Sequence, residues 1–329
     1  MNKAEQIKIK RLITTAQSLQ KKRPWELFDE IGILAITLAN RKTPFYCVFL
    51  QETIIVCPNP AALKGLLYMS EQEHMPDIQR LRYQQHFACF FDQIEDLSEQ
   101  WQSILKQLDI QPIDDKYPNF ESAMPGILPD TLVKQEIQTM LDILIQIGQS
   151  IDQIADIKAL DHDTETQMVH RYFDFDQDQW VFDTMDMIDD SLDVKTLIVN
   201  DDILKQCKQK PMIDQTWELD VAYTPIMMPA KEGHRQGVIR VTILADHQQQ
   251  LIYDQRLITL QDDPNSIMMQ MLTSAIIQRG IPQKLLVRDV IVQKMLSDLA
   301  KKLDMTIDIS QVLDVIDVFV NEFSKQYAH

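Results

Sequence analysis

The stretch WELDVAYTPIMM (217–228), then GVIRVTILADHQQQLIYDQRLITL (237–260) and, after a helical run, KLLVRD (284–289) decides the fold of the second half of this chain. WELDVAY, VIRVTIL and LIYDQRLITL carry the alternation and the β-branched and aromatic residues of strands, and ADHQQQ joins the last two as a turn. Residues 265–279 have helical spacing and stop at Gly280-Ile281-Pro282, and KLLV is a short buried strand. A helix over 290–303, a strand over 305–309 and a helix over 310–323 complete the order β-β-β-α-β-α-β-α. Asp220 lies inside the first strand and Asp289 closes the fourth.

Working outward, 329 residues give two domains, each long enough to bury its own core. Lys and Arg number 32 against 49 Asp and Glu, so the net charge of -17 favours solubility and repels phosphate backbones. Nucleic acid is therefore disfavoured as a partner, and protein is favoured. Cys47, Cys57, Cys89 and Cys207 form no CxxC pair, which suits buried reduced thiols. The amino terminus is charged, without the apolar core of a signal peptide, and no run of 18 apolar residues occurs, so a soluble protein of the reducing cytoplasm is expected.

Residues 1–23 carry seven basic residues against Glu5 alone, with Ile7, Leu12, Ile13 and Ala16 as a loose helical stripe. Such a helix could touch nucleic acid, anionic lipid or an acidic partner, but packing on the protein's own acidic surface is the expectation. From Gly32, strand-like runs alternate with turns: ILAITLA, FYCVFL and TIIVC, with Gln51-Glu52 as a hairpin turn, then a helix from PAALKGLLYM and a strand at HFACFF. Ser98 caps a helix with Trp101, Ile104, Leu105 and Leu108 on one face. YPNFESAMPGILPD (117–130) is expected to be irregular because of its prolines and Gly126, and a long helix follows from about 131 to 151.

Residues 150–215 hold 16 Asp or Glu against 6 Lys or Arg, including YFDFDQDQWVFDTMDMIDD (172–190). Asp174, Asp176 and Asp178 have the opening spacing of a calcium loop, but its required glycine and glutamate are replaced by Gln179 and Met185. A strand pair with one wet face explains the alternation better. The expected division is an α+β domain over 1–150, an acidic connecting segment with short strands and a helix over 151–214, and a final domain over 215–329.

The β-β-β-α-β-α-β-α order resembles the ribonuclease H-like fold. The resemblance implies a mixed five-stranded sheet flanked by helices, with the first three strands antiparallel and right-handed crossovers after them. Trp217, Leu219 and Asp220, with Gly280, Pro282 and Asp289, are similar to the corresponding strands of retroviral-integrase-like domains. Across the whole chain, Pro118, Phe120, Pro125, Gly126, Pro129 and Glu136, together with ADHQQQLIYDQRL and IIQRGIPQKLLVRD, resemble a bacterial two-domain family of unknown function, numbered 7309 for its first domain and 6930 for its second. Gln248 to Gln250 stand where the second family usually has a glycine. Neither family implies an activity.

In a ribonuclease H-like sheet the first and fourth strands are neighbours, so Asp220 and Asp289 could converge on Mg²⁺ or Mn²⁺. A third carboxylate would come from the last helix, which offers Asp314, Asp317 and Glu322. Its apolar set Val312, Ile316, Phe319 and Phe323 leaves Asp314 and Asp317 solvated and Glu322 on the flank. From 211 to 329 there are 11 Lys or Arg against 15 Asp or Glu, so no cationic groove stands out. The ordinary roles are a wet-face strand position or the satisfying of a turn for Asp220, an N-cap for Asp289 and a turn for Asp246 and His247. Arg288, next to Asp289 on a strand, need not neutralise the pair. No HExxH, GxSxG, P-loop or GxGxxG occurs. The reading adopted is a non-catalytic protein-binding module without a cofactor. The alternative is a Mg²⁺- or Mn²⁺-dependent nuclease or phosphoryl transferase, with Asp220 and Asp289 as metal ligands and Glu322 as the third catalytic carboxylate.

Overall fold

The structure, a computed structural model, describes residues 2–72, 75–160, 162–189, 194–228, 235–259 and 262–327. The chain forms two compact units. The first takes Met1–Glu73, Tyr83–Pro125 and Pro129–Ser191; the second takes His74–Arg82, Gly126–Leu128 and Leu192–His329. Among the described residues no helix is long and apolar enough to cross a membrane.

The first unit opens with helices α1 (Lys3–Lys22) and α2 (Pro24–Leu27), strands β1 (Leu34–Thr37), β2 (Phe45–Leu50) and β3 (Thr53–Cys57), and helix α3 (Pro60–Glu71). After α4 (Asp77–Arg80), which belongs to the second unit, come β4 (His86–Asp92), α5 (Glu99–Gln107), β5 (Tyr117–Met124), β6 (Ile127–Thr131), α6 (Lys134–Asp152), α7 (Ile154–Lys158), β7 (Gln167–Asp174) and β8 (Gln179–Asp186). The eight strands form one sheet in the order β6-β5-β4-β3-β2-β1-β7-β8. Gln51-Glu52 is the turn between β2 and β3, with Glu52 at φ 53°, and Ser98 accepts the amide of Trp101 at the start of α5.

Three expectations change in this unit. Tyr117–Asp130 is not irregular: Pro118 is only the second residue of β5, Gly126 at φ 74° makes the turn, and Pro129 lies in β6, the last strand in the order of its sheet. The acidic stretch does hold a strand pair, but β7 lies parallel to β1 and extends the first unit's sheet. Asp174 accepts the amides of Asp176 and Gln177, so its carboxylate shapes the hairpin turn. In α1, Ile7 is exposed, while Ile9, Leu12, Ile13, Ala16 and Leu19 are buried in a core shared with α6. Two of its basic residues bond to other parts of the same unit: Lys10 to the Leu108 carbonyl and Lys22 to Asp152.

One buried charge stands out. Arg171 on β7 is 2% exposed and, among the described residues, pairs with no carboxylate. Nε donates to Gln146, Nη1 to Gln153 and Nη2 to Gln149, three side-chain amides on α6, and the guanidinium lies 4.7 Å from the Phe182 ring centre and 5.4 Å from that of Trp180. Burial lowers its pKa to about 10, so it remains a cation at neutral pH. Dipoles and aromatic faces, each worth little alone, carry the desolvation cost together.

The second unit contains α4, α8 (Asp201–Lys208), β9 (Met212–Met227), β10 (Val238–Asp246), β11 (Leu251–Ile258), α9 (Pro264–Arg279), β12 (Ile281–Val287), α10 (Val290–Leu303), β13 (Thr306–Ile309) and α11 (Asp314–Tyr327). Its sheet runs β11-β10-β9-β12-β13; β9, β10 and β11 are antiparallel neighbours, and β12 and β13 lie parallel to β9. That is the ribonuclease H-like order. Leu260, read as the end of the third strand, lies outside the described residues.

Gly280 ends α9 at φ 122°, and a Cβ there would meet Ile213 Cγ2 at 2.7 Å, so glycine is required on both counts. Trp217, Leu219, Val221 and Tyr223 of β9 bury into the core shared with α9 and α10. Ala222, on the opposite face, joins Leu313 and Ile316 of the α11 region. Val312, expected on the buried side of the last helix, precedes α11 and is 62% exposed; Leu313 takes its place.

Arg171→Lys keeps the charge but cannot reach three amides in a fork. It is expected to lower unfolding stability by about 2 to 3 kcal/mol, read by urea denaturation, because two Gln oxygens lose a charge-assisted partner.

Candidate functional site

The pleat of β9 sends Glu218 and Asp220 to the face covered by α11, and both are 0% exposed. A buried carboxylate is tolerated only when its charge is met, and Asp220 is met twice. Arg82 Nη2 donates to Asp220 Oδ1 at 2.9 Å, and Arg288 Nε donates to Oδ2 at 2.8 Å. Arg82 Nη1 also pairs with Asp289 Oδ2, and Arg82 Nη2 donates to the Val221 carbonyl. The side chains of Asp220 and Asp289 therefore converge as the neighbouring strands imply, but on a guanidinium.

Each partner is itself held. Asp289 Oδ1 accepts the Val292 amide at 3.0 Å, so Asp289 caps α10 as well as pairing with Arg82. Arg288 Nη1 donates to the Gln311 carbonyl at 2.7 Å and Nη2 to Asp317 Oδ1. Arg288 thus does neutralise the site. The alternation of strand side chains does not apply to it, because β12 ends at Val287 and the chain turns into α10. Asp317 is not merely solvated: its Oδ2 accepts the Leu313 amide at 3.0 Å, tying α11 to Arg288.

Glu218, which drew no notice in the sequence, sits two residues before Asp220 on the same face. Its Oε2 accepts the amides of Val315 and Ile316, each at 3.1 Å, in the first turn of α11, where the helix dipole favours a negative charge. Its Oε1 lies 2.6 Å from His247 Nδ1. Asp246 has the expected turn role, accepting the Gln249 amide at 2.8 Å, and it also accepts the Tyr253 hydroxyl at 2.6 Å. Burial, reinforced by Asp246, pushes the Tyr253 hydroxyl up to about 12.

The arrangement does not fit a divalent ion. Arg82 stands between the two carboxylates that would share the metal, and the other oxygen of each already has a donor. Glu322 does not join them: it is exposed and pairs with Lys325 at 2.8 Å. Asp314 is exposed too. Among the described residues, no group of three or more His, Cys, Asp or Glu is placed to hold a metal.

Burial alone would raise the Asp220 carboxyl, but Arg82 and Arg288 outweigh it and hold it below its usual 3.8. A depressed carboxylate contributes stability that is complete above 3.8 and lost as pH falls through the folded value. Asp220→Asn is therefore expected to cost about 3 to 5 kcal/mol at pH 7, where two buried cations lose their shared partner. The gap between wild type and variant should narrow as melts are taken from pH 5 down to about 3. Arg82→Ala, which leaves Asp220 and Asp289 facing each other, should destabilise comparably at pH 7, and millimolar Mn²⁺ should recover part of the loss in that variant alone.

Residues 10–171 match the family described as Domain of unknown function (DUF7309), and residues 203–324 match Domain of unknown function (DUF6930). No curated protein matches the chain. Among solved structures, the HTLV-2 integrase catalytic core domain in complex with magnesium (dimeric form) is similar at 9% identity, over 35% of this chain and 72% of that one, with a TM-score of 0.24. The chain thus resembles, in its two halves, two domain families of unknown function.

Proposed function

We propose that the protein is a non-catalytic binding module of the reducing cytoplasm whose partner is another protein. The observation that carries this reading is that every carboxylate oxygen of Asp220 and Asp289 already accepts from a donor, two arginines and a helix amide, with a guanidinium between the two side chains. The alternative, a metal-dependent nuclease, is favoured by the convergence of the same two side chains. It requires Arg82 to leave and a third ligand that Glu322 does not supply.

A protein partner is supported by the edge of the second sheet. Among the described residues, strand β11 has β10 on one side only; it runs for 8 residues and exposes Leu251 and Leu257, the latter by 62%. An unpaired strand edge is a template for a further strand, and apolar side chains beside it add area. The acidic balance of the chain argues against a phosphate backbone in that place. Four buried free thiols support a reducing compartment, with burial pushing Cys57 up to about 12.

Metal titration tests the catalytic half of this reading. A metal present at 100 times its Kd would add about 2.7 kcal/mol. The melting temperature of the wild-type chain should instead stay flat in millimolar Mg²⁺ or Mn²⁺, and DNA and RNA substrates should stay intact. A metal-dependent rise in melting temperature or cleavage that Asp220→Asn and Asp289→Asn both abolish would put the nuclease first. For the binding half, a complex purified with the wild type should be lost with the double variant Leu251→Lys, Leu257→Lys while the melting temperature holds.

A further inference from the structure

The first unit holds a cleft of about 530 Å³ between α1 and α5, floored by Phe120 of β5 and closed at one end by the start of α6. That volume lies within the roughly 300 to 1,000 Å³ of small-molecule sites. Its inner wall is apolar: Leu12, Trp101 and Phe120 are buried, and Ile104 and Ile137 are half-buried. The wall is also fixed. Trp101 Nε1 donates to the Pro118 carbonyl at 2.9 Å, and its ring meets Phe120 edge-on, with centres 5.9 Å apart. Helix α1 packs along α6.

The charges at the lip are unequal. Glu5 is engaged, accepting the Asn2 amide at 3.0 Å and pairing with Lys134 at 3.4 Å. Lys8, one turn further along α1 and half-buried on the lining, makes no ion pair or hydrogen bond among the described residues. An ammonium beside a rigid apolar wall, next to a carboxylate already spoken for, matches a ligand with one negative end and an apolar body.

We propose that this cleft binds an amphipathic monocarboxylate, its unbranched aliphatic chain lying on Trp101, Phe120 and Ile104 and its carboxylate on Lys8. The proposal is independent of the reading of the second unit, since every residue it uses belongs to the first. The apolar wall supplies affinity without selecting a head group. Lys8 supplies the selection, because a charge-assisted hydrogen bond to a carboxylate has no counterpart with an alcohol.

Calorimetric titration of the full chain with decanoate, 1-decanol and decyltrimethylammonium tests it. Decanoate should bind one to one, about tenfold or more tighter than the alcohol, with the ammonium weakest. Lys8→Gln should bring decanoate down to the alcohol's affinity and leave the alcohol unchanged. Ser103→Trp, at an exposed lip position, should block decanoate and 1-decanol while the melting temperature holds, with Gln107→Trp as the second blocking variant if the first misfolds. Failure of decanoate to saturate overturns the proposal. So does decanoate binding that survives either blocking variant, a preference for the alcohol, or occupation by an amphipathic helical peptide but not by decanoate.

Discussion

The second unit depends on how the charge of Asp220 is accommodated. A carboxylate with no solvent contact in the middle of a sheet faces a desolvation cost of several kcal/mol, and only close, well-directed cations offset it. Both oxygens are claimed by different arginines, one from the chain just after α4 and one from the end of β12. Arg82 then reaches Asp289 and the start of α10, and Arg288 reaches Asp317 and the start of α11. One buried charge thereby fixes the approach of two helices and of the 75–82 segment to the same strand. Glu218 repeats the device two residues earlier, with backbone amides in place of guanidinium.

The same geometry sets the chemistry. A two-metal centre works because carboxylate oxygens are held close together with lone pairs directed at an empty position that ions and substrate oxygens fill. Here the position between Asp220 and Asp289 is taken by a covalently tethered cation, which cannot expand its coordination, lower the pKa of a bound water or exchange ligands. The arginine serves the electrostatic part of a metal's role and none of its Lewis-acid part.

Much of the architecture was legible because it rests on local rules. The order of elements in the second unit followed from period-2 runs and from the Gly280 stop, the arrangement of its sheet from the resemblance to the ribonuclease H-like fold, and the cap at Asp289 from its place before an apolar helical run. Pro118, Pro125 and Pro129 misled because proline is compatible with a strand pair at a strand start, in its turn and in the last strand of a sheet, and these three occupy those places. Val312 misled by one position: Leu313 begins the buried face, and the helix starts after it. Glu218 was available in principle, since strand period places it beside Asp220. Arg82 was not, because it lies 138 residues from Asp220 and 207 from Asp289, and no local pattern marks which of 32 basic residues will reach a buried carboxylate.

The two units solve the burial of arginine in different ways, and the difference bears on what each tolerates. In the second, charge meets charge: removing either partner strands the other, so the cluster is costly to breach and resists drifting toward a new metal or substrate role. In the first, Arg171 is held by three neutral amides and two aromatic faces, so no single partner carries a full counter-charge. Loss of one glutamine there removes one dipole and leaves four supports. The α6 face can vary residue by residue around Arg171, whereas Asp220 and its two arginines can change only together.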